Sequence, residues 1–248
     1  MAANVSSSRI LISSVILILV LSTLSGILTH YQDLETKDNI IEEDSFRSHF
    51  TSKNSNDWSA SGSASNPVIA SAIDTSSNNE IVVAGVISGS TTMSMGSASI
   101  TSGQYVEPWI AKADSNGNWQ WIEKVSIIGT SQYAEAAITD VAVAPNGDIF
   151  ATGMFYDSVS FGSITLTSTG YWDCWTAKLS ASGQWQWAQA LRGDGDYDGV
   201  TVTTLDVVYG TSIAVDSNSN PIVGGFFLGN TDVGVAADTG CLLYTSDS

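Results

Sequence analysis

Positive charge is scarce in this chain. Its 248 residues hold 8 Lys and Arg against 25 Asp and Glu, a formal net charge of −17. From residue 58 onward the basic side chains are Lys112, Lys124, Lys178 and Arg192. Neutralising phosphates requires Lys and Arg, so no nucleic-acid partner is expected. Histidine is confined to His30 and His49. A Ser-His-Asp or Cys-His pair therefore cannot be assembled from the later residues alone. Cys174 and Cys241 are the two cysteines, too few for a disulfide framework or a zinc cluster. Cys174 lies in a strand-like run and reads as a small buried hydrophobe. No glycine-rich loop opens a helix, so nothing is placed to cradle phosphates. Helical periodicity is missing from residue 58 onward. What remains is a composition rich in Ser, Thr, Gly, aromatic and β-branched residues, typical of β-structure.

One long apolar run stands at the start. Ile10 to Leu28 spans nineteen residues, preceded by Arg9 and followed by six acidic residues between Asp33 and Asp44. At about 1.5 Å per residue a helix of this length reaches across the hydrocarbon core. The basic residue stays cytoplasmic, so the rest of the chain is expected outside. Residues 1–28 thus read as a signal anchor or a cleaved signal peptide, with membrane contact through residues 10–28 if uncleaved. Residues 29–57 carry seven acidic side chains and no hydrophobic period, and read as a solvated linker.

Residues 58–240 repeat. Trp109-Ile110-Ala111-Lys112 returns 66 residues later as Trp175-Thr176-Ala177-Lys178, and Trp119-Gln120-Trp121 returns as Trp185-Gln186-Trp187. Gly85, Gly153 and Gly225 close similar runs, spaced 68 and 72. In the second copy, strands are expected over 140–144, 148–155, 173–179 and 185–191, with a weaker one over 163–167. Pro145-Asn146-Gly147 and Ser182-Gly183 supply turns. The first copy matches with Ala72-Ile73-Asp74 and 80–86, the third with 213–216 and 222–227. Residues near 202–207 depart from the pattern and unsettle the register there. Four antiparallel strands per tandem unit are the signature of a propeller blade, and a period near seventy is too short for β-sandwich modules. The fold class predicted is all-β: tandem four-stranded antiparallel repeats forming a partial β-propeller, preceded by an N-terminal hydrophobic helix. In each Trp-Gln-Trp an alternating strand puts both rings on one face, and both are expected to pack in the core.

Asp-Ser-Asn-Gly-Asn at 114–118, Ile213-Ala214-Val215-Asp216, Phe161-Gly162-Ser163 and the paired Trp-Gln-Trp resemble the prokaryotic SBBP-type β-propeller repeat family. The resemblance implies an exported or cell-surface protein and no single activity. A weaker resemblance is to quinoprotein-type propellers, through the order Asp114, Gly117, Trp121. It implies that the tryptophans pack within or between blades.

Cys241 to Ser246 breaks the repeat, and its codons can match a transposon end used to prepare DNA for sequencing. Residues 241–248 are therefore expected to be a non-native tail on a truncated repeat region of about two and a half blades.

Three turns carry acids. Asp194-Gly195-Asp196-Tyr197-Asp198-Gly199 fits the opening of a calcium loop, with Asp194, Asp196 and Asp198 as candidate ligands. The bidentate Glu of a full loop is replaced by Leu205. Ca²⁺ is the one candidate cofactor. Asp216 to Asn220 is a weaker version in which Pro221 takes the Gly position, and Asp114 to Asn118 reads as a hairpin turn. Glu135 with Asp140, or Asp157 with Asp173, are candidate carboxylate pairs for glycosidase-like chemistry. The functional expectation is a non-enzymatic, surface-held or secreted binding or adhesion module for an extracellular protein or polysaccharide. A carbohydrate-active hydrolase or lyase and an architectural scaffold are the alternatives.

Overall fold

The computed structural model describes residues 61–66, 68–169, 171–193 and 207–228, and the backbone alone of 239–245. All of them lie in the compact unit Trp58–Ser248. Every regular element among the described residues is a strand. The first repeat holds β1 (Ser63–Ala64), β2 (Ile69–Thr75), β3 (Ile81–Ile87), β4 (Thr92–Met95), β5 (Ala98–Thr101), β6 (Glu107–Ala113) and β7 (Trp119–Lys124). The second holds β8 (Ser126–Ile127), β9 (Glu135–Val143), β10 (Ile149–Tyr156), β11 (Ser158–Phe161), β12 (Ile164–Thr167), β13 (Asp173–Leu179) and β14 (Trp185–Leu191). The third holds β15 (Val207–Val215), β16 (Pro221–Leu228) and β17 (Thr239–Thr245).

The main sheets are antiparallel meanders, ordered β2-β3-β6-β7 and β9-β10-β13-β14, with β15-β16-β17 as the third. The hairpins β4–β5 and β11–β12 branch from the middle of their units and form small separate sheets with β1 and β8. The weak strand expected over 163–167 is therefore half of an inserted hairpin. The backbone of β17 pairs with β16 from Thr239 to Thr245. Main-chain pairing asks little of sequence, so this segment fills the third-strand place although its residues do not follow the repeat.

The equally spaced glycines have a shared cause. The first strand of each unit carries one extra residue: Ser71, Thr139 and Thr211 are skipped in the ladders with β3, β10 and β16. Opposite each bulge stands Gly85, Gly153 or Gly225. A Cβ at those glycines would sit 1.8, 2.0 and 1.9 Å from the carbonyl oxygens of Ile69, Ala137 and Tyr209. Only glycine admits so close an approach of two backbones.

The bulged hydroxyls also tie unit to unit. Ser71 Oγ donates to the Ile138 carbonyl (3.1 Å), and Thr139 Oγ1 donates to the Gly210 carbonyl (2.7 Å). Beside them, Asp74 accepts from the Val143 amide (2.7 Å) and Asp140 from the Ile213 amide (2.8 Å). Between the first and second sheets lies a core containing Val82, Ile110, Val141, Ile149, Phe155 and Trp175. Between the second and third lies another, containing Phe150, Cys174, Val208, Ile213 and Phe227.

The expectation that each Trp-Gln-Trp puts both rings on one face is overturned. Trp121 pairs with Lys112 but Trp119 pairs with Ala113, so Gln120 is a bulge; Gln186 does the same between Leu179 and Lys178. One inserted residue inverts the alternation, and the two rings take opposite faces. Trp121 packs toward the second sheet, donates Nε1 to the Ala181 carbonyl (3.2 Å) and lies against Gly183. Trp119 turns the other way and covers Gly96 of its own hairpin, as Trp185 covers Gly162. All four rings remain half-buried. Packing within and between units is therefore shared out, one ring to each task.

Candidate functional site

Asp194, Asp196 and Asp198 lie outside the described residues, as does the rest of that loop. No group of three or more His, Cys, Asp or Glu able to hold a metal occurs among the described residues. The other two acidic turns are ordinary hairpin connections. Asp216 accepts from the amides of Asn218 and Asn220 (both 2.8 Å) and from the Asn220 side chain (3.1 Å). Asp114 does likewise with Asn116 and Asn118, and Gly117 takes φ 82°. The Asn118 side chain holds the Asp114 carboxyl below the usual range, and the Asn220 amide does the same for Asp216.

Three of the four candidate carboxylates are held by backbone amides. Glu135 is the first and Asp140 the sixth of the nine residues of β9, with the bulge at Thr139 between them. Asp140 is engaged by the Val141 and Ile213 amides. Asp157, at φ 76°, accepts from the Ser131 amide (2.7 Å). Asp173 is wholly buried and accepts from the Thr169 (2.8 Å) and Gly193 (3.1 Å) amides.

This last arrangement repeats. Glu107, 66 residues earlier, is also buried and accepts from the Gly103 (3.0 Å) and Ile127 (2.9 Å) amides. Lys124 Nζ adds an ion pair at 2.7 Å. Each carboxylate clamps the loop before the third strand to the residues after the fourth. A charge-assisted bond to a backbone amide is the strong kind, which repays burial of the carboxylate. Cys174 is a free, buried thiol in the second core, pushed up to about 11 chiefly by burial. It behaves as the small hydrophobe expected.

A different cluster stands out. Tyr156 ends β10, Tyr171 and Trp172 precede β13, and Tyr209 lies near the start of β15. Their rings form a continuous row: Tyr156–Tyr171 at 5.4 Å, Tyr171–Trp172 at 6.2 Å and Trp172–Tyr209 at 6.2 Å between centroids. Phe226 extends it by stacking on Tyr209 at 4.9 Å. The row is fixed to the backbone, since the Trp172 carbonyl accepts from the Val208 amide (2.8 Å). Glu135 opens β9 directly opposite Tyr156. Burial raises the Glu135 carboxyl above its ordinary range. Burial, then the neighbouring Tyr171 hydroxyl and Glu135 carboxylate, push the Tyr209 phenol up as well. The ion pairs Lys112–Glu80, Lys124–Glu107 and Lys178–Asp148 lie elsewhere. Half-buried Tyr156, Tyr171 and Trp172 with the Glu135 carboxyl beside them make an amphipathic ledge suited to a ligand with both apolar faces and hydroxyls.

Sequence reasoning passed over this cluster. A signal was present: Tyr171-Trp172 stands where the first unit has Tyr105-Val106, so an aromatic replaces an aliphatic at a position the fold does not need for its core. No family model and no curated protein matches the chain.

Proposed function

We propose that the repeats are blades of a β-propeller-like array and that the chain is an exported or surface-held binding module for a glycan. The observation that carries the reading is the Tyr156–Tyr171–Trp172 row with Glu135 beside it. Sugar rings offer C–H faces to aromatic rings and hydroxyls to a carboxyl group, so one ledge meets both needs. Among the described residues, the other candidate carboxylates Asp140, Asp157 and Asp173 are engaged by backbone amides. Export rests on the apolar run Ile10 to Leu28 and the acidic linker after it.

The test is co-sedimentation of the full chain with a panel of insoluble polysaccharides, followed by titration with the matching oligosaccharides. Retention on at least one polymer, lost in Trp172→Ala and without release of reducing ends, is expected. Retention unchanged in Trp172→Ala would sink the assignment of the ledge. Deleting residues 10–28 is expected to abolish export and surface association.

A further inference from the structure

The β11–β12 hairpin alternates strictly. Val159, Phe161 and Leu166 are buried in the first core. Ser158, Ser160, Thr165 and Thr167 take the opposite face, and the ladder sets Ser158 against Thr167 and Ser160 against Thr165. The Ser158 and Thr167 hydroxyls lie 3.0 Å apart. Ser126 of β8 continues the second row beside Ser160. β12 is an edge strand, where charged side chains usually bar further pairing. Its two outward residues, Thr165 and Thr167, are instead uncharged and exposed, in a chain with 25 Asp and Glu. The hydroxyl rows run on into the aromatic ledge. Beyond the Ser158–Thr167 pair, the Asp157 amide donates to Ser168 Oγ (2.9 Å) and the Ser168 amide to the Asp157 carbonyl (2.8 Å). Tyr156 comes next on one side and Tyr171 shortly after on the other, and their rings meet at 5.4 Å. The two segments thus stay side by side from the hydroxyls to the rings. The first unit has the hydroxyls without the rings. Thr92 and Thr101 hydroxyls lie 3.0 Å apart, and Ser94 stands opposite Ser99. That ribbon ends at Ser90 and Gly103, joined by a backbone bond of 2.7 Å, in the place of the ledge.

We infer that, granted the ledge as a glycan site, the Ser158–Thr167 and Ser160–Thr165 hydroxyls are its continuation and hold further sugars of a neutral polysaccharide chain. A hydroxyl both donates and accepts, as a sugar hydroxyl does, so each pair can exchange bonds with a chain laid along it. No charge has to be stripped of water on contact. An acidic polysaccharide would instead meet the repulsion of a net charge of −17. A short ligand uses the rings alone, and a longer one adds the hydroxyl pairs.

The test is calorimetric titration of the full chain with size-graded oligosaccharides of cellulose, xylan, chitin and starch, from disaccharide to octasaccharide. Affinity is expected to rise with length in at least one series. Thr165→Val combined with Thr167→Val removes two hydroxyls and keeps the β-branched shape. It is expected to weaken the longest oligomer by roughly threefold to tenfold per hydroxyl and to leave the disaccharide unchanged. Thr92→Val combined with Thr101→Val, the same loss in the first unit, is expected to change neither. Ser160→Ala replaces the double variant if that one melts early, and the same outcomes decide. No gain with length, a gain that survives the second-unit variants, or an equal loss from the first-unit variants would overturn the hydroxyl track and leave the ledge standing. Trp172→Ala without effect on the disaccharide, or no binding in any series, would remove ledge and track together.

Discussion

Substituting Gly153 by alanine tests the bulge geometry directly. The new methyl would lie 2.0 Å from the Ala137 carbonyl oxygen and 2.9 Å from the Trp175 ring. Neither neighbour can retreat cheaply. The carbonyl belongs to the bulge in β9, and the Trp175 ring is wholly buried in the first core. Overpacking of this kind costs about 1–3 kcal/mol. Pushing the indole aside also disturbs its bifurcated hydrogen bond to the Ala137 and Met154 carbonyls, at 3.1 and 3.2 Å, and a buried N–H left unpaired by loss of both costs about 1–3 kcal/mol more. A total near 3–4 kcal/mol should lower the thermal midpoint by roughly 6–16 °C for a chain of this size. Gly103→Ala is the control, since its Cβ would meet only the Glu107 carboxylate at 3.6 Å. Denaturant unfolding of both variants against the wild type reads the difference. If Gly153→Ala unfolds with the wild type, the bulge is not where this register puts it, and the account of the repeated glycines fails.

Other outcomes follow from the buried groups. In Glu107→Gln one clamp oxygen becomes an NH₂ facing a backbone N–H, and Lys124 loses its partner; a loss of about 3 kcal/mol in denaturant melts is expected, and a neutral result would refute the clamp. The raised Glu135 carboxyl means that the folded state holds its proton to higher pH than the unfolded chain. Its contribution to stability is therefore full below the ordinary carboxylate pKa and is lost as pH rises through the folded value. Glu135→Gln should flatten that decline in pH-dependent melts, and an unchanged slope would exclude Glu135 as its source. Cys174, with its thiol near 11 and buried, should resist iodoacetamide at pH 8 until the protein unfolds, as peptide mapping would show; early labelling would contradict its burial.

The sequence disclosed period and strand type because both depend on patterns that local chemistry enforces. Trp185 to Leu191 and Asp173 to Leu179 were legible as strands to the residue, and Gly117 and Gly147 marked their turns through positive φ. The faces taken by Trp119 and Trp121 were not legible, because a bulge at Gln120 leaves no mark in the composition of the strand. Parity arguments fail wherever an extra residue enters a ladder. The carboxylate clamps were hidden for a different reason. Glu107 and Asp173 share a position but not a residue type, and their partners are backbone amides, which any sequence supplies. The aromatic ledge draws on three strands and the segment before a fourth. Only the fold brings Glu135, Tyr156, Trp172 and Tyr209 together.

The bulge hydroxyls bear on how such an array can grow. Each contact runs from one side-chain oxygen to a main-chain carbonyl of the next unit, Ser71 to Ile138 and Thr139 to Gly210. The receiving partner is therefore indifferent to residue type, and the donor needs only a hydroxyl. The spacing of 68 and then 72 residues shows that insertions between units leave these contacts standing. A tandem gene duplication would deliver each new unit with its donor and its acceptor already in place. Lengthening by duplication is then open to the lineage without simultaneous changes elsewhere, and the connecting loops are left free to diverge.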